Sequence, residues 1–574
     1  MKGFIVTIAV VLIASATGVA ASATGLGLRS STAARHGPME NAQSENPGMP
    51  HLQKHGTATQ LIVNGKPFLM LAGELLNSSS SSLAYMRPIW PRLAAIPVNT
   101  VLTPVYWDLI EPAEGKFNFT LVDGLIRQAR ESDLHIVFLW FGAWKNGLSG
   151  NAPLWVRKDP RRFPLVIGKK GNQEEVLSTF GTSTLRAEQI AFAALMRNIR
   201  QVDGRDHTVL MMQVENEVHA WDYSPAAIKL FKTQVPARLL NYIDQHKESL
   251  VPQFKKIWYA AGEKTSGTWS RVFGVRAYEM FMDWHYARYI NRIAAAGKAE
   301  YPIPMYVNTA LMGINPNVPM VKNAPGGPTP AAMDVWRAAG HAINFYSPDI
   351  YMKKFQYWCN LYTQAGNPFF IPEAIGGPIG AANVFYAIGE DNAMGFSPFG
   401  IDSSRDLYSM MKHSGKASSF FGAESVRDER NALGRSYSVL MQMAPILLQH
   451  QGNGTMTGFV LDSDHPAESV VMNGYKLDIS LERSFFGRVN LAYGLVVATG
   501  PNEFLGAGNG FQVTFSPASP GLPNAGIGYI EQGSYSNGDW IPGRRLSGDA
   551  DDQGEAWLFA AGHTNIERAV VYRF

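Results

Sequence analysis

Between Phe68 and Ser397, short apolar runs alternate eight times with longer segments, most of them amphipathic. The runs are Phe68–Ala72, Thr100–Val105, His135–Leu139, Val209–Val214, Met305–Asn308, Ile343–Ser347, Phe369–Pro372 and Ala393–Ser397. Leu121–Glu131, Leu185–Gln201 and Val272–Ala296 carry helical periodicity between them. A short apolar run followed by a helical pattern reads as a βα unit, and eight in series predict an α/β fold closed into a (β/α)8 TIM barrel. About 90 residues separate the fourth run from the fifth, which predicts an extra helical excursion there. An open, doubly wound sheet is the competing arrangement. No G-x-G-x-x-G follows the first run, which counts against a dinucleotide-binding version.

The remaining segments differ in character. Lys2, the apolar stretch Phe4 to Ala16 and the Ala21-Ser22-Ala23 site predict a signal peptide over residues 1–23. That stretch is shorter than the ~20 residues a bilayer span needs, so no membrane span is expected after cleavage. Residues 24–55 are rich in Ser, Ala, Gly, Pro and Asn and predict a flexible leader. Leu61-Ile62-Val63, Asn64-Gly65 and Pro67–Met70 predict a hairpin at the start of a barrel spanning 56–452. The last helical pattern is Arg435–Gln451. Beyond it Thr457–Leu461, Gly494–Thr499, Gly510–Phe515, Gly526–Gln532 and Ala569–Phe574 are short β-type runs between Gly, Asn and Pro. They predict a C-terminal all-β, sandwich-like domain over 453–574. Capping the barrel is favoured as its role over holding polysaccharide.

Composition removes several function classes. Fifty basic residues against 47 acidic ones leave a net charge of +3, without the basic patch that nucleic-acid binding needs. Cys359 is the sole cysteine, so no intrachain disulfide or cysteine-based metal cluster can form; it reads as a small buried residue. An exported chain without disulfides fits a periplasmic or secreted location. His219, His285 and His341 lack metal-ligand spacing, no G-x-S-x-G elbow closes a strand, and no metal or organic cofactor is implied. Nothing in the pattern sets an oligomeric state. The 13 Trp, 22 Tyr and 30 Phe supply core, with some available as platforms for the apolar face of a sugar.

In a TIM barrel the active site lies at the C-terminal strand ends. The fourth run ends in Glu215-Asn216-Glu217, and the seventh in Pro372-Glu373-Ala374. Two carboxyls at facing strand ends suit glycoside hydrolysis, in which one must be protonated and the other ionised. Taken singly, Glu217 is equally a helix-start carboxylate and Glu373 a salt-bridged strand-end acid. Taken together they point to a carbohydrate substrate. Further strand-end candidates are Glu74 after the first run, Trp140, Trp144 and Lys145 after the third, and Asn308 at the fifth. Tyr351 follows the sixth, where a hydroxyl can orient the nucleophile.

Gln213-Val214-Glu215-Asn216-Glu217 resembles the acid/base motif of glycoside hydrolase family 35, the β-galactosidases, within clan A of retaining (β/α)8 enzymes. The resemblance implies Glu217 as acid/base, Glu373 as nucleophile, Asn216 on the sugar 2-hydroxyl and Glu215 as a supporting or sugar-binding carboxylate. Tyr106-Trp107-Asp108, with Glu111-Pro112 and Glu114-Gly115, resembles the second-strand motif of families 35 and 42, which implies Tyr106 and Trp107 in the wall of the sugar subsite. Gly73-Glu74-Leu75, Trp140 to Gly147 and Trp540 to Arg545 look like a bacterial branch that carries a C-terminal β-domain. Ile371-Pro372-Glu373-Ala374 departs from the animal and plant surroundings of the nucleophile. The implied activity is exo-acting removal of terminal β-galactosyl residues from oligo- or polysaccharides. The alternatives are another sugar, a β-glucoside or β-mannoside, and a catalytically silent carbohydrate-binding protein.

Overall fold

The computed structural model describes residues 48–311, 325–403, 429–484, 487–536 and 538–574. The signal peptide expected over 1–23 and most of the expected leader lie outside them.

Eight parallel strands close into a barrel, each bonded to its neighbours in sequence and the eighth to the first. They are Met70–Glu74, Thr100–Tyr106, His135–Lys145, Val209–Asn216, Met305–Ala310, Phe345–Ile350, Ile371–Ala374 and Gly395–Pro398. All eight expected runs lie on this barrel. Most strands continue past the last apolar residue of their run into polar ends such as Glu74, Lys145, Asn216 and Asp349. Backbone pairing carries the strand there, and it does not depend on side-chain polarity. Helices Ala237–Gln245 and Pro252–Ala260 fall in the predicted excursion between the fourth and fifth strands.

Side chains alternate in direction along each strand. Met70, Leu102, Val137, Leu139, Phe141, Leu210, Tyr306, Phe345, Phe370 and Met394 fill the barrel interior. Leu71, Val101, Ile136, Phe138, Val214 and Val307 point outward and join the larger core under the helices. Leu61 and Val63 belong to the interior cluster, so the N-terminal hairpin plugs the barrel. That hairpin pairs Leu61 with Phe68 and Val63 with Lys66, and Asn64 and Gly65 both take the positive φ of a tight hairpin turn. Its second strand ends at Phe68, and the first barrel strand starts at Met70, two residues later than expected.

The leader reading also needs correction at its end. His51–His55 is a strand, paired from His51↔Ile62 to His55↔Ala58. Its polar, half-exposed sequence suits an edge strand and carries no apolar signal.

The C-terminal region is all β. A six-stranded antiparallel sheet and a four-stranded sheet enclose a core of Phe459, Tyr475, Phe504, Phe511, Trp557 and Phe559. The six-stranded sheet uses both faces. Tyr493, Leu495, Val497, Leu505 and Ile566 lie on the other side, in the same cluster as the barrel helices. Helix Gly377–Gly389 packs there, with the Cα of Gly458 2.7 Å from where a side chain on Gly389 would begin. A β-carbon on Gly458 would likewise meet the Phe385 carbonyl and, at 2.9 Å, the Glu390 amide. Gly458→Val should therefore destabilise the protein by about 1–3 kcal/mol through overpacking. Gly434 lies in helix Glu429–His450 with open space around it. Gly434→Ala should stabilise by about 0.5–1 kcal/mol. Urea midpoints of the two variants should move in opposite directions.

Candidate active site

Strand ends one, three, four, five, six and seven contribute Glu74, Lys145, Asn216 with Glu217, Asn308, Asp349 and Glu373. Each follows or ends an apolar strand, so the barrel core fixes its backbone. Asp349 and Glu373 are direct partners in the ladder between strands six and seven, as are Lys145 and Asn216 between three and four. Glu217, Asp349 and Glu373 each place a carboxyl oxygen within 4.8 Å of the other two.

Hydrogen bonds orient the groups. The Asn308 carbonyl oxygen accepts from the Glu217 amide at 3.0 Å, and its NH2 donates to Asp349 Oδ2 at 2.8 Å. The Tyr351 hydroxyl donates to Glu373 Oε1. Lys145 Nζ donates to Asn216 Oδ1 at 2.8 Å and lies 4.9 Å from the Phe141 ring centroid. Glu74 Oε1, Glu373 Oε2 and the Asn216 NH2 are buried without a partner. Buried polar atoms in a native fold normally find partners, so these three mark where a polar ligand belongs.

Burial is the largest influence on every acid here. It raises Glu74 and Asp349 well above the ordinary carboxyl range, with neighbouring carboxylates adding to it. It raises Glu217, against the pull of Lys145 and of a hydrogen bond from Asp349. Glu373 is pushed up to about 7 by burial and by the charge of Glu217, while Lys145 and Tyr351 hold it down. Carboxyls this close cannot all ionise at neutral pH, so the cluster holds protons and carboxylates side by side. The three clustered carboxyls are, among the described residues, the group spaced to hold a metal ion. Bonds from Tyr351 and Asn308 already occupy two of their oxygens.

Glu215 points away from the cluster and is fully buried. Its oxygens accept from the Ala143 amide at 3.0 Å and the Trp144 amide at 2.7 Å. Glu188, from helix Thr182–Asp203, lies against it and accepts from Trp140 Nε1 at 3.0 Å and from Tyr289 OH at 2.9 Å. Burial first, and then the neighbouring Glu188, raise Glu215 well above the carboxyl range. Both carboxyls fill space beside Gly142 that any β-carbon would occupy.

The cluster thus brings together six of the expected residues: Glu217, Glu373, Asn216, Glu74, Asn308 and Tyr351. Lys145, the weaker candidate, joins them. Glu215 supports it from behind. Tyr106, Trp107 and Trp144 do not reach it. Tyr106 faces the barrel interior, donates to the Asn77 carbonyl at 2.6 Å and meets Ser80. Trp107 is buried with its indole on Glu111, 2.9 Å away. Trp144 is buried against Tyr286 and Tyr289, with its indole NH on the Leu177 carbonyl. Two residues went unnoticed in the sequence. Asp349 lies two positions beyond the apolar run Ile343–Ser347, where an acid at a strand end is the signal already used for Glu217 and Glu373. Glu188 is an acid on the apolar stripe of its helix, with Leu185, Phe192 and Leu195.

A family model described as β-galactosidase, that of glycoside hydrolase family 42, matches residues 91–378, half of the chain. A domain of unknown function (DUF5597) matches residues 433–557. A β-galactosidase of Xanthomonas manihotis is 29% identical over 116 residues, covering 18% of this chain and 19% of that protein. Among solved structures, the β-galactosidase from Bacillus circulans sp. alkalophilus is 14% identical, with a TM-score of 0.43 over 66% of this chain and 57% of its own. The cold-adapted β-galactosidase from Rahnella sp. R3 is 10% identical, with a TM-score of 0.41 over 89% of this chain and 99% of its own. The chain therefore spans about a fifth of the curated relative and little more than half of the Bacillus enzyme. The motif around Glu217 resembles family 35, but the model that matches is that of family 42, also of clan A. The chain belongs to glycoside hydrolase family 42.

Proposed function

We propose that this protein is a retaining β-glycosidase that removes terminal β-galactosyl residues from oligo- or polysaccharides. The observation that carries the reading is the pairing of Glu217 and Glu373 at strand ends four and seven, with oxygens within 4.8 Å. Carboxyls about 5–5.5 Å apart suit a covalent glycosyl-enzyme, whereas inversion needs room for a water between them. The family match and the β-galactosidase relatives support the sugar. The signal-like N-terminus supports export to the periplasm or medium.

Glu373, ionised and held by the Tyr351 hydroxyl, attacks the anomeric carbon. Glu217 donates its proton to the departing glycosidic oxygen. Water then enters, Glu217 takes its proton, and the hydroxide attacks the anomeric carbon to release β-configured sugar and free Glu373. The Asn216 NH2, which donates to the sugar 2-hydroxyl in this reading, is buried and unpartnered. No cofactor enters these steps.

Hydrolysis of p-nitrophenyl β-D-galactoside tests the reading. Glu217→Gln and Glu373→Gln should each lose activity on the order of 10³-fold or more. In Glu217→Ala, azide should restore turnover and give the β-glycosyl azide, because it attacks the glycosyl-enzyme. An α-azide would reverse the two roles. Activity confined to other aryl β-glycosides would overturn the galactoside assignment and leave the pair in place.

Lys145 generates a second prediction. Its ammonium lowers Glu373, Glu217 and Glu74. Without it each carboxyl holds its proton to higher pH. The nucleophile then ionises later and the acid keeps its proton longer. Both limbs of the kcat/KM profile should move to higher pH in Lys145→Met, the acid limb starting from the region near 7 where Glu373 titrates. A limb that stays put or moves down would sink this assignment.

A further inference from the structure

Four residues beyond Glu217 the chain reaches Trp221, and with Tyr223 and Tyr278 it makes an aromatic panel. The three rings are half-buried. Their planes meet at 18°, 17° and 2°, with centroids 6.5, 6.1 and 5.1 Å apart. A column of three rings would set its outer pair at twice the neighbour spacing. Three near-equal spacings mean that each ring covers the others only in part.

The panel is held from below and behind. Phe231 meets Tyr278 edge-on at 4.8 Å, and Phe281 lies 5.5 Å from it. Asp222, between the two loop rings, is buried, and its carboxylate accepts from the Ile167 amide, the Ser178 hydroxyl and the Ser224 amide. Its carbonyl accepts from the Tyr278 hydroxyl. The Tyr223 amide donates to the Ile167 carbonyl at 2.8 Å. The bonds of a buried carboxylate and of a tyrosine hydroxyl thus also order rings that stay partly open.

Position supplies the occupant. Trp221 and Tyr223 sit on the loop that leaves the fourth strand, at the catalytic end of the barrel. Tyr278 opens helix Ala277–Glu300, which precedes the fifth strand, so its N-terminus lies at that same end. Four residues carry the chain at most ~14 Å from Glu217. The group that protonates the glycosidic oxygen stands beside the departing sugar, and the rings follow that group within this reach. We propose that Trp221, Tyr223 and Tyr278 form the subsite for the first leaving-group sugar, a neutral pyranose that lays its apolar C–H face on the rings. The proposal rests on Glu217 as proton donor. The neighbouring carboxyls make an anionic sugar a poor occupant.

The test compares lactose, whose leaving group is glucose, with β-galactosyl fluoride, whose leaving group is fluoride. In Trp221→Ala and in Tyr223→Ala the loss of kcat/KM on lactose should exceed the loss on the fluoride by about tenfold. Trp221→Phe, which keeps a ring, should recover most of it. Equal losses on the two substrates, or no loss on either, overturn the platform. A parent that hydrolyses neither substrate overturns the galactoside reading instead. The platform is then decided by calorimetric titration with cellotetraose. Binding to the parent that weakens about tenfold in Trp221→Ala supports it; absent or unchanged binding overturns it.

Discussion

Two buried carboxyls, Glu188 and Glu215, meet where Gly142 has no side chain, and the C-terminal end of the barrel is built on that meeting. Glu215 ties the fourth strand to the amides of Ala143 and Trp144, which extends the third strand as far as Lys145. Lys145 can then reach Asn216 and lend its charge to the acids around it. Remove the pair, and the third strand has no reason to follow the fourth beyond Trp140, where their register already shifts. A carboxyl accepting backbone N–H groups is a strong orienting device, and here it is fully buried.

That end of the barrel works against stability. Glu74, Asp349 and Glu373 are taken out of water with one ammonium among them, and burial raises all three. An acid whose folded pKa is raised favours folding at low pH, and loses that advantage as pH rises from the ordinary carboxyl value through the folded one. The cluster therefore costs most in the range where the proposed chemistry needs an ionised nucleophile. The packed interior from Met70 to Met394, and the hairpin that plugs it, supply the stability that such a site draws down.

Much of this was legible in the sequence because it was written in apolar runs. All eight runs became barrel strands, and acids just beyond two of them, Glu217 and Glu373, lie in one cluster. Asp349 escaped because its run was ended at Ser347, while strand pairing carries on to Ile350. The aromatic candidates show a different limit. Trp140 and Trp144, with Ala143 between them, pack in the outer core under the helices, while Lys145 turns to Asn216 past the register shift. Residue type favours the indoles, and packing against the helices takes them. Tyr106 does face inward, yet its hydroxyl is taken by the Asn77 carbonyl, a partner no local pattern announces. His51–His55 stayed hidden because an edge strand needs hydrogen bonds and little else.

Glu217 sits between two anchors. On one side Glu215 grips the end of the third strand; on the other, Asp222 grips Ile167 and Ser178 in the segment between the third and fourth strands. Within that span Glu215 and Glu217 both adopt positive φ, at 64° and 45°. Left-handed backbone at a non-glycine residue costs about 1–2 kcal/mol, and it persists only where surrounding contacts over-determine it. The Asn308 side chain on the Glu217 amide is the third such contact, and it comes from the next strand. A residue swung out of line at its own backbone and held from three sides keeps its place at the strand end, with its carboxyl in the space it shares with Glu373 and Asp349.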